Sequence, residues 1–222
     1  MNEIKQIFLD LDGPLLDGKA RHYFCYTKIL KENGFEPIGI EQYWEMKRAM
    51  GDRRTLLKAS GAECIYDLFL TSWLALIETP EALAMDRVQE GAVDCLREFK
   101  ALGLALTLVT MRKNKPNLEA QLTSTGLRPW LDDVYVCDHA NGGVGKADAV
   151  RTLLPPGVTA ENTLWIGDTE ADWAAANSLG CRVLLLSNGL RSEACLKSMA
   201  GAVVKPSIMS LQNVPLGRLY VD

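Results

Sequence analysis

Short apolar runs alternate with helix-like segments through most of this chain, and that alternation narrows the possible folds more than any other feature. Residues 104–109, 134–136, 163–166, 182–186 and 202–204 each read as a buried strand. Between and around them, 91–101, 115–124, 146–154, 170–178 and 192–199 read as helices. Gly103, Gly126 and Gly180 mark helix ends, as does the breaker Pro155-Pro156-Gly157. Continuous apolar strands separated by helices predict a parallel sheet covered on both faces. An additional strand is expected at 4–11, followed by a helix at 20–33 that stops at Asn33-Gly34. From about 40 to 88 the pattern is helical, with no convincing strand. The expectation is a doubly wound α/β core formed by residues 1–17 and 89–222, interrupted by a small helical unit at 18–88.

Composition excludes several functions for such a fold. Net charge is −4 over 222 residues, so no basic surface recommends nucleic acid or an anionic membrane. No apolar stretch reaches the roughly 18 residues that span a bilayer. The first strand begins almost at once, leaving no room for a signal peptide, so the cytoplasm is the expected location. Six cysteines are dispersed without a CxxC pair, and there are only two histidines. A zinc site or a disulfide framework is therefore not expected. The chain is expected to act as a monomer or homodimer on a small molecule.

The acids sit where such a sheet would gather them. Asp10 and Asp12 fall at the end of the first apolar run, the position where open α/β sheets place their ligand crevices. Two carboxylates this close repel unless something positive lies between them, and a hard divalent cation takes oxygen ligands. Read alone, the pair serves equally well as an acidic turn after a strand. Thr110 ends a second run, where a hydroxyl beside free backbone N–H groups can hold a phosphate oxygen, although turns favour such residues anyway. Lys146 follows Gly142-Gly143-Val144-Gly145 and is expected to open a helix; a solvated lysine is the plain alternative. Asp168 and Asp172 follow a third run, one helical turn apart, in the positions of a helix cap and a dipole-complementing acid. Each signal is weak singly. A parallel sheet brings all of these tips together.

On those residues the chain resembles the haloacid dehalogenase-like hydrolase superfamily. Its signatures are matched by Asp10, Asp12, Gly13 and Asp17, by Thr110, by Lys146, and by Gly167, Asp168 and Asp172. The insertion at 18–88 resembles the helical cap of the phosphoglycolate phosphatase and β-phosphoglucomutase subgroup. The resemblance implies a Rossmann-like core and a Mg²⁺-dependent phosphatase acting on a small phosphorylated metabolite. It implies Asp10 as nucleophile, Asp12 as acid and base, and Thr110, Met111 and Lys146 as phosphoryl holders. Asp10, Asp12, Asp168 and Asp172 are the implied metal set, with Asp172 positioning Lys146 or a metal-bound water.

Specificity is expected to lie in the insertion and in the first loop. Gly13, His22, Arg53 and Arg54 are candidate substrate contacts, the two arginines because a guanidinium suits a second anionic group. A polar helix start on the surface accounts for them equally. Arg112, Lys113 and Lys115 either rim the phosphate side or form a solvated loop. Trp44, Trp73 and Trp130 are expected in the core. Pro14, Gly18 and Met111-Arg112 depart from the family pattern without removing a catalytic group. A phosphosugar mutase is the nearest alternative, and a non-enzymatic binding module a more distant one. A dehalogenase is disfavoured because such enzymes lack the second carboxylate that Asp12 supplies.

Overall fold

The computed structural model describes residues 3–137, 142–151 and 157–218. Six strands form one sheet: β1 (Gln6–Leu9), β4 (Ala105–Thr110), β5 (Asp133–Val136), β6 (Thr163–Gly167), β7 (Arg182–Leu186) and β8 (Val203–Lys205). Their order is β5-β4-β1-β6-β7-β8, and every pairing is parallel. The chain winds outward from β1 on one side, then crosses back to wind outward on the other. The resulting switch point lies at β1, between β4 and β6, where a ligand crevice is expected at the carboxyl ends.

The two faces of the sheet follow from period-two alternation. Ile7, Leu9, Leu106, Leu108, Leu164 and Ile166 face one cluster, shared with α6 (Ala92–Ala101) and α7 (Lys115–Ser124). Phe8, Val109, Trp165, Val183 and Leu185 face the other, shared with α8 (Gly142–Arg151), α9 (Glu170–Leu179) and α10 (Glu193–Lys197). Both faces are covered, which explains why the strands read as unbroken apolar runs.

Five helices lie between β1 and α6: α1 (Lys19–Glu32), α2 (Ile40–Arg48), α3 (Arg53–Ala59), α4 (Tyr66–Leu76) and α5 (Pro80–Leu83). They close around a cluster of their own, including Tyr26, Ile29, Tyr43, Trp44, Leu57, Phe69 and Trp73. Two short strands lead into and out of them. β2 (Leu16–Asp17) pairs antiparallel with β3 (Arg87–Val88), setting Leu16 opposite Val88 and Asp17 opposite Arg87. The purely helical reading of 40–88 is corrected here. A two-residue strand carries no period-two signal, and its partner lies some seventy positions away.

Two other expectations need adjusting. The first strand is four residues long, so Asp10 stands just beyond it. The helix carrying Lys146 begins at Gly142 rather than at Lys146, because the glycines form its first turn. They do so because α8 packs closely on α9: a Cβ on Gly143 would come within 2.2 Å of the Ala171 carbonyl oxygen. The expected end of that helix at 152–156 lies outside the described residues. All six cysteines are free. No helix among the described residues is long and apolar enough to cross a membrane.

Candidate active site

The carboxyl ends of β1, β4 and β6 open into a cleft of about 730 Å³, roofed by the inserted helices. Its floor is lined by Asp10, Asp12, Thr110, Met111, Arg112 and Lys146. Its roof includes His22, Arg53 and Trp73. Residues as far apart in sequence as Asp10 and Leu190 thus meet because parallel strands point their ends the same way.

Lys146 is buried at the centre of the floor. Its Nζ lies 3.0 Å from Asp10 Oδ1 and donates to Asp172 Oδ1 at 2.7 Å. Burial alone would lower the lysine's pKa, but the two carboxylates overcome that and raise it. Asp10 shows the opposite balance. Burial pushes its carboxyl up to about 7, against the pull of Lys146. Its Oδ1 also accepts the Leu11 N–H at 2.9 Å, while its Oδ2 has no hydrogen-bond partner among the described residues.

Asp10, Asp168 and Asp172 each present a carboxylate oxygen within 4.8 Å of the other two. Their surroundings differ. Asp172 is spent on the protein: Oδ1 also accepts from Trp165 Nε1, and Oδ2 accepts from Thr169 Oγ1 and from the N–H groups of Asp168 and Thr169. Those donors and Lys146 outweigh burial and hold Asp172 below the usual carboxylate range. Asp168 is fully buried, with Oδ2 accepting the Leu190 N–H at 2.5 Å and Oδ1 left without a partner. Burial, then the neighbouring Asp10 and Asp172, drive its carboxyl well up. An orphaned buried oxygen on Asp168 beside an open oxygen on Asp10 fits a hard divalent cation. Gly13 closes this corner: at φ +100°, a Cβ there would lie 2.1 Å from Asp168 Oδ2.

The Asp12 carboxylate lies outside that cluster. Arg112 grips it with two parallel bonds, Nε to Oδ2 and Nη2 to Oδ1, both at 2.7 Å. Arg21, on α1, adds a third at 2.5 Å. Burial alone would raise this carboxyl, but Arg112 and Arg21 hold it far below the usual carboxylate range. The same two guanidiniums reach the buried Asp86 at 3.0 and 3.3 Å, and Gln121 Nε2 also donates to it. Arg112 is therefore neither a solvated loop residue nor a free rim; it is buried in a four-charge cluster that ties the core to the insertion. The sequence position of Asp12 suggested acid–base work; its partners favour the ionised form.

The remaining candidates divide. Thr110 ends β4, buried, with Oγ1 accepting the Arg112 N–H at 3.3 Å, and both it and Met111 line the cleft. His22 lines it too, its ring 5.4 Å from Trp73, and burial pushes its pKa well down, leaving it neutral. Arg53 lines it, with its guanidinium 5.8 Å from the Trp73 ring centre. Arg54 does not: it stacks at 3.7 Å over Tyr66. On a helix, adjacent residues face about 100° apart, so only one of the two arginines can reach the cleft. Lys113 and Asn114 line it as well, and their backbone N–H groups donate to Glu78. Trp44 and Trp73 are buried as expected, yet Trp73 also presents a face to the cleft. Trp130 packs at the edge of the core.

Sequence reasoning missed Arg21, Asp86 and Lys47. Arg21 and Asp86 are single charges beside a helix start and a short strand, with no spacing that announces them. Lys47 lies on α2, and its ammonium is 5.4 Å from the Trp73 ring centre.

A family model of haloacid dehalogenase-like hydrolases matches residues 4–180. A phosphoglycolate phosphatase from Rhodobacter capsulatus is 24% identical over 195 residues, 83% of this chain and 85% of that protein. A phosphoglycolate phosphatase from Rhodospirillum rubrum is 28% identical over 201 residues, covering 85% and 82%. Among solved structures, a haloacid dehalogenase-like family hydrolase from Streptococcus pneumoniae superposes with a TM-score of 0.74 at 18% identity, covering 95% of this chain and 98% of that one.

Proposed function

From the premise that this chain belongs to the haloacid dehalogenase-like hydrolases, we propose that it is a Mg²⁺-dependent phosphatase of small phosphorylated metabolites, with Asp10 as its nucleophile. The observation that carries this reading is the arrangement around Asp10. One of its oxygens is oriented by Lys146 and the Leu11 N–H, the other has no partner among the described residues, and Asp168, with its own orphaned oxygen, presents a carboxylate oxygen within 4.8 Å of one on Asp10. A carboxylate held this way is aimed and ready to attack. Asp10 and Asp168 would hold Mg²⁺, together with the Asp12 carbonyl expected from the family pattern. When bound, the ion supplies the positive charge that lets an anionic carboxylate approach an anionic phosphoryl group.

The chain's own groups do the rest. Asp10 forms a bond to phosphorus as the ester bond breaks, giving an aspartyl-phosphate and an alkoxide, which takes its proton from water in the cleft or from an Asp12 that has first been protonated. Lys146 and Thr110 hold phosphoryl oxygens, and Asp172 keeps Lys146 in place. Water then hydrolyses the aspartyl-phosphate, and the ionised Asp12 takes up its proton. Donating a proton to the leaving alkoxide requires Asp12 to receive one first, against Arg112 and Arg21. The helices of residues 18–88 act as the cap, limiting bulk water in the cleft.

The test is hydrolysis of p-nitrophenyl phosphate by the purified protein. Turnover is expected with Mg²⁺ and not with excess chelator. Asp10→Asn should cost at least about 10³-fold in kcat, the scale of losing a covalent nucleophile. Absence of turnover with Mg²⁺, or an Asp10→Asn protein that works normally, would refute it.

A further inference from the structure

The loop between β7 and α10, residues 187–192, touches both the metal corner and the inserted helices. On one side it holds Asp168. The Leu190 N–H donates to Asp168 Oδ2 at 2.5 Å, and a Cβ on Gly189 would lie 2.1 Å from the same oxygen. The loop backbone is thus packed directly against this carboxylate and decides which of its oxygens is left over. On the other side the loop grips the end of α2. Arg48 Nη2 donates to the carbonyls of Ser187 and Arg191, and the Ser192 N–H donates back to the Arg48 carbonyl at 3.1 Å. Arg191 Nη1 donates to the Lys47 carbonyl at 3.4 Å, while its Nε and Nη2 hold the two oxygens of Glu170 at 2.7 and 2.6 Å. The side chain of Leu190 packs against the apolar cluster of the inserted helices.

Each contact has a local reason. Lys47 and Arg48 end α2, so their carbonyls have no partner within the helix, and the negative end of its dipole favours a cation there. Arg191 supplies that cation, and its other edge is fixed to Glu170, two residues beyond Asp168. Leu190 joins the two sides in one residue: its amide serves the metal corner and its side chain serves the insertion. A planar peptide gives little slack, so the amide follows when the side chain is drawn away. Resting on the phosphatase reading above, we infer that Leu190, Arg191 and Arg48 are positioning residues that tie the aim of Asp168 to the seating of the inserted helices on the core. Mg²⁺ then binds more tightly when those helices are seated. Linkage makes the effect mutual, so the ion also holds the helices down.

Metal binding without substrate tests this. The full chain is titrated calorimetrically with Mg²⁺ alone. Leu190→Ala keeps the N–H on Asp168 and removes only packing against the insertion, yet it should weaken Mg²⁺ binding about fivefold or more. Arg48→Ala should do the same, while Arg48→Lys, which can still donate to a carbonyl, should keep most of the affinity. Arg191→Ala should cost about tenfold or more, the scale for groups that orient a metal ligand. Hydrogen exchange reads the reverse direction. Mg²⁺ should slow exchange of the Ser192 amide in the unaltered protein, and much less in Leu190→Ala. Leu190→Ala and Arg48→Ala proteins that bind Mg²⁺ as tightly as the unaltered chain would overturn the inference, even if both are less stable, because a merely structural role predicts that result. So would a Ser192 amide whose exchange is indifferent to Mg²⁺. Turnover of p-nitrophenyl phosphate by the unaltered protein judges the phosphatase reading separately: turnover with Mg²⁺ alongside normal binding in the variants defeats this inference alone.

Discussion

Two lysines, one on the floor of the cleft and one on the inserted helices over Trp73, are held in opposite ways. Lys146, on the floor, is buried between Asp10 and Asp172, and its pKa is raised. Lys47, on the roof, has no carboxylate partner among the described residues, and its pKa falls to about 7. Both lose water, so desolvation works against both charges. The difference is made by counter-charge. The floor is internally neutralised and built before any ligand arrives. Around Lys47 no carboxylate among the described residues supplies that counter-charge. A site that positions a reacting group benefits from the first arrangement.

The sharpest way to break the contrast is to remove Lys146. Lys146→Met should lower kcat on p-nitrophenyl phosphate by about 10³-fold, because a phosphoryl ligand and the partner of the nucleophile vanish together. It also leaves two buried carboxylates unpaired, which costs about 3–5 kcal/mol of stability by the usual penalty for breaking a buried pair. Chemical denaturation would measure the loss. Lys47→Met should be close to neutral or stabilising by the same measure, since it removes a repelled charge. If both variants lose equal stability, the roof lysine has a counter-charge after all.

A smaller loss is expected from crowding the metal corner without touching a charge. In Gly13→Ala the new methyl would need the space of Asp168 Oδ2, at a backbone angle of φ +100° that alanine resists. Asp168 must then move off its bond from Leu190, and Mg²⁺ affinity should fall by about 10–100-fold, as for other disturbances around ligating carboxylates. Activity against Mg²⁺ concentration reports this, with partial recovery at high Mg²⁺. No recovery would mean that the loop itself had collapsed.

The Asp12 clamp should give an intermediate effect. Arg112→Lys keeps the charge but loses the two-pronged grip, and a fall of about tenfold in kcat/KM is expected. Arg112→Ala should fall further, because Asp12 and Asp86 are left to share Arg21. If Arg112→Ala is faster than the unaltered protein on ethyl phosphate, whose leaving group needs a proton, then the clamp restrains Asp12 rather than supporting it.

The contrast also explains what could be read from sequence. The floor was legible because Asp10, Thr110 and Asp168 each stand at the end of an apolar run, which a parallel sheet must bring together, and because glycines lead into Lys146. All four are announced by their neighbours in sequence. The clamp was half legible: Asp12 carried the signal, but Arg112 looked like one charge in a basic loop, and Arg21 and Asp86 like ordinary surface residues. Their burial comes from packing between the insertion and the core, which no local pattern encodes. The roof was least legible. Arg53 stood out beside a turn, but Lys47 lies on an ordinary helical face. Its meaning depends on Trp73, on a different helix, and on carboxylates that are used up elsewhere. A short paired strand such as Arg87–Val88 was hidden for the same reason.

The subtlest expected effect follows from the depressed roof lysine. Burial, with the charges of Arg53, Arg191 and Arg21, brings the Lys47 pKa down to about 7, and burial pushes that of His22 well down. The unfolded chain keeps the lysine protonated up to its ordinary value of 10.5, so between pH 7 and that value it binds a proton that the folded chain does not. The lysine's penalty is therefore full below pH 7 and fades as pH rises through that window. Comparing Lys47→Met with the unaltered protein cancels the other titrating groups. The advantage of Lys47→Met in stability should shrink by about 1 kcal/mol or more between about pH 6.5 and 9.5. Chemical denaturation at the two pH values measures the gap. A gap that stays constant would mean that a counter-charge keeps the roof lysine at its ordinary value, and the contrast between the two lysines would be lost.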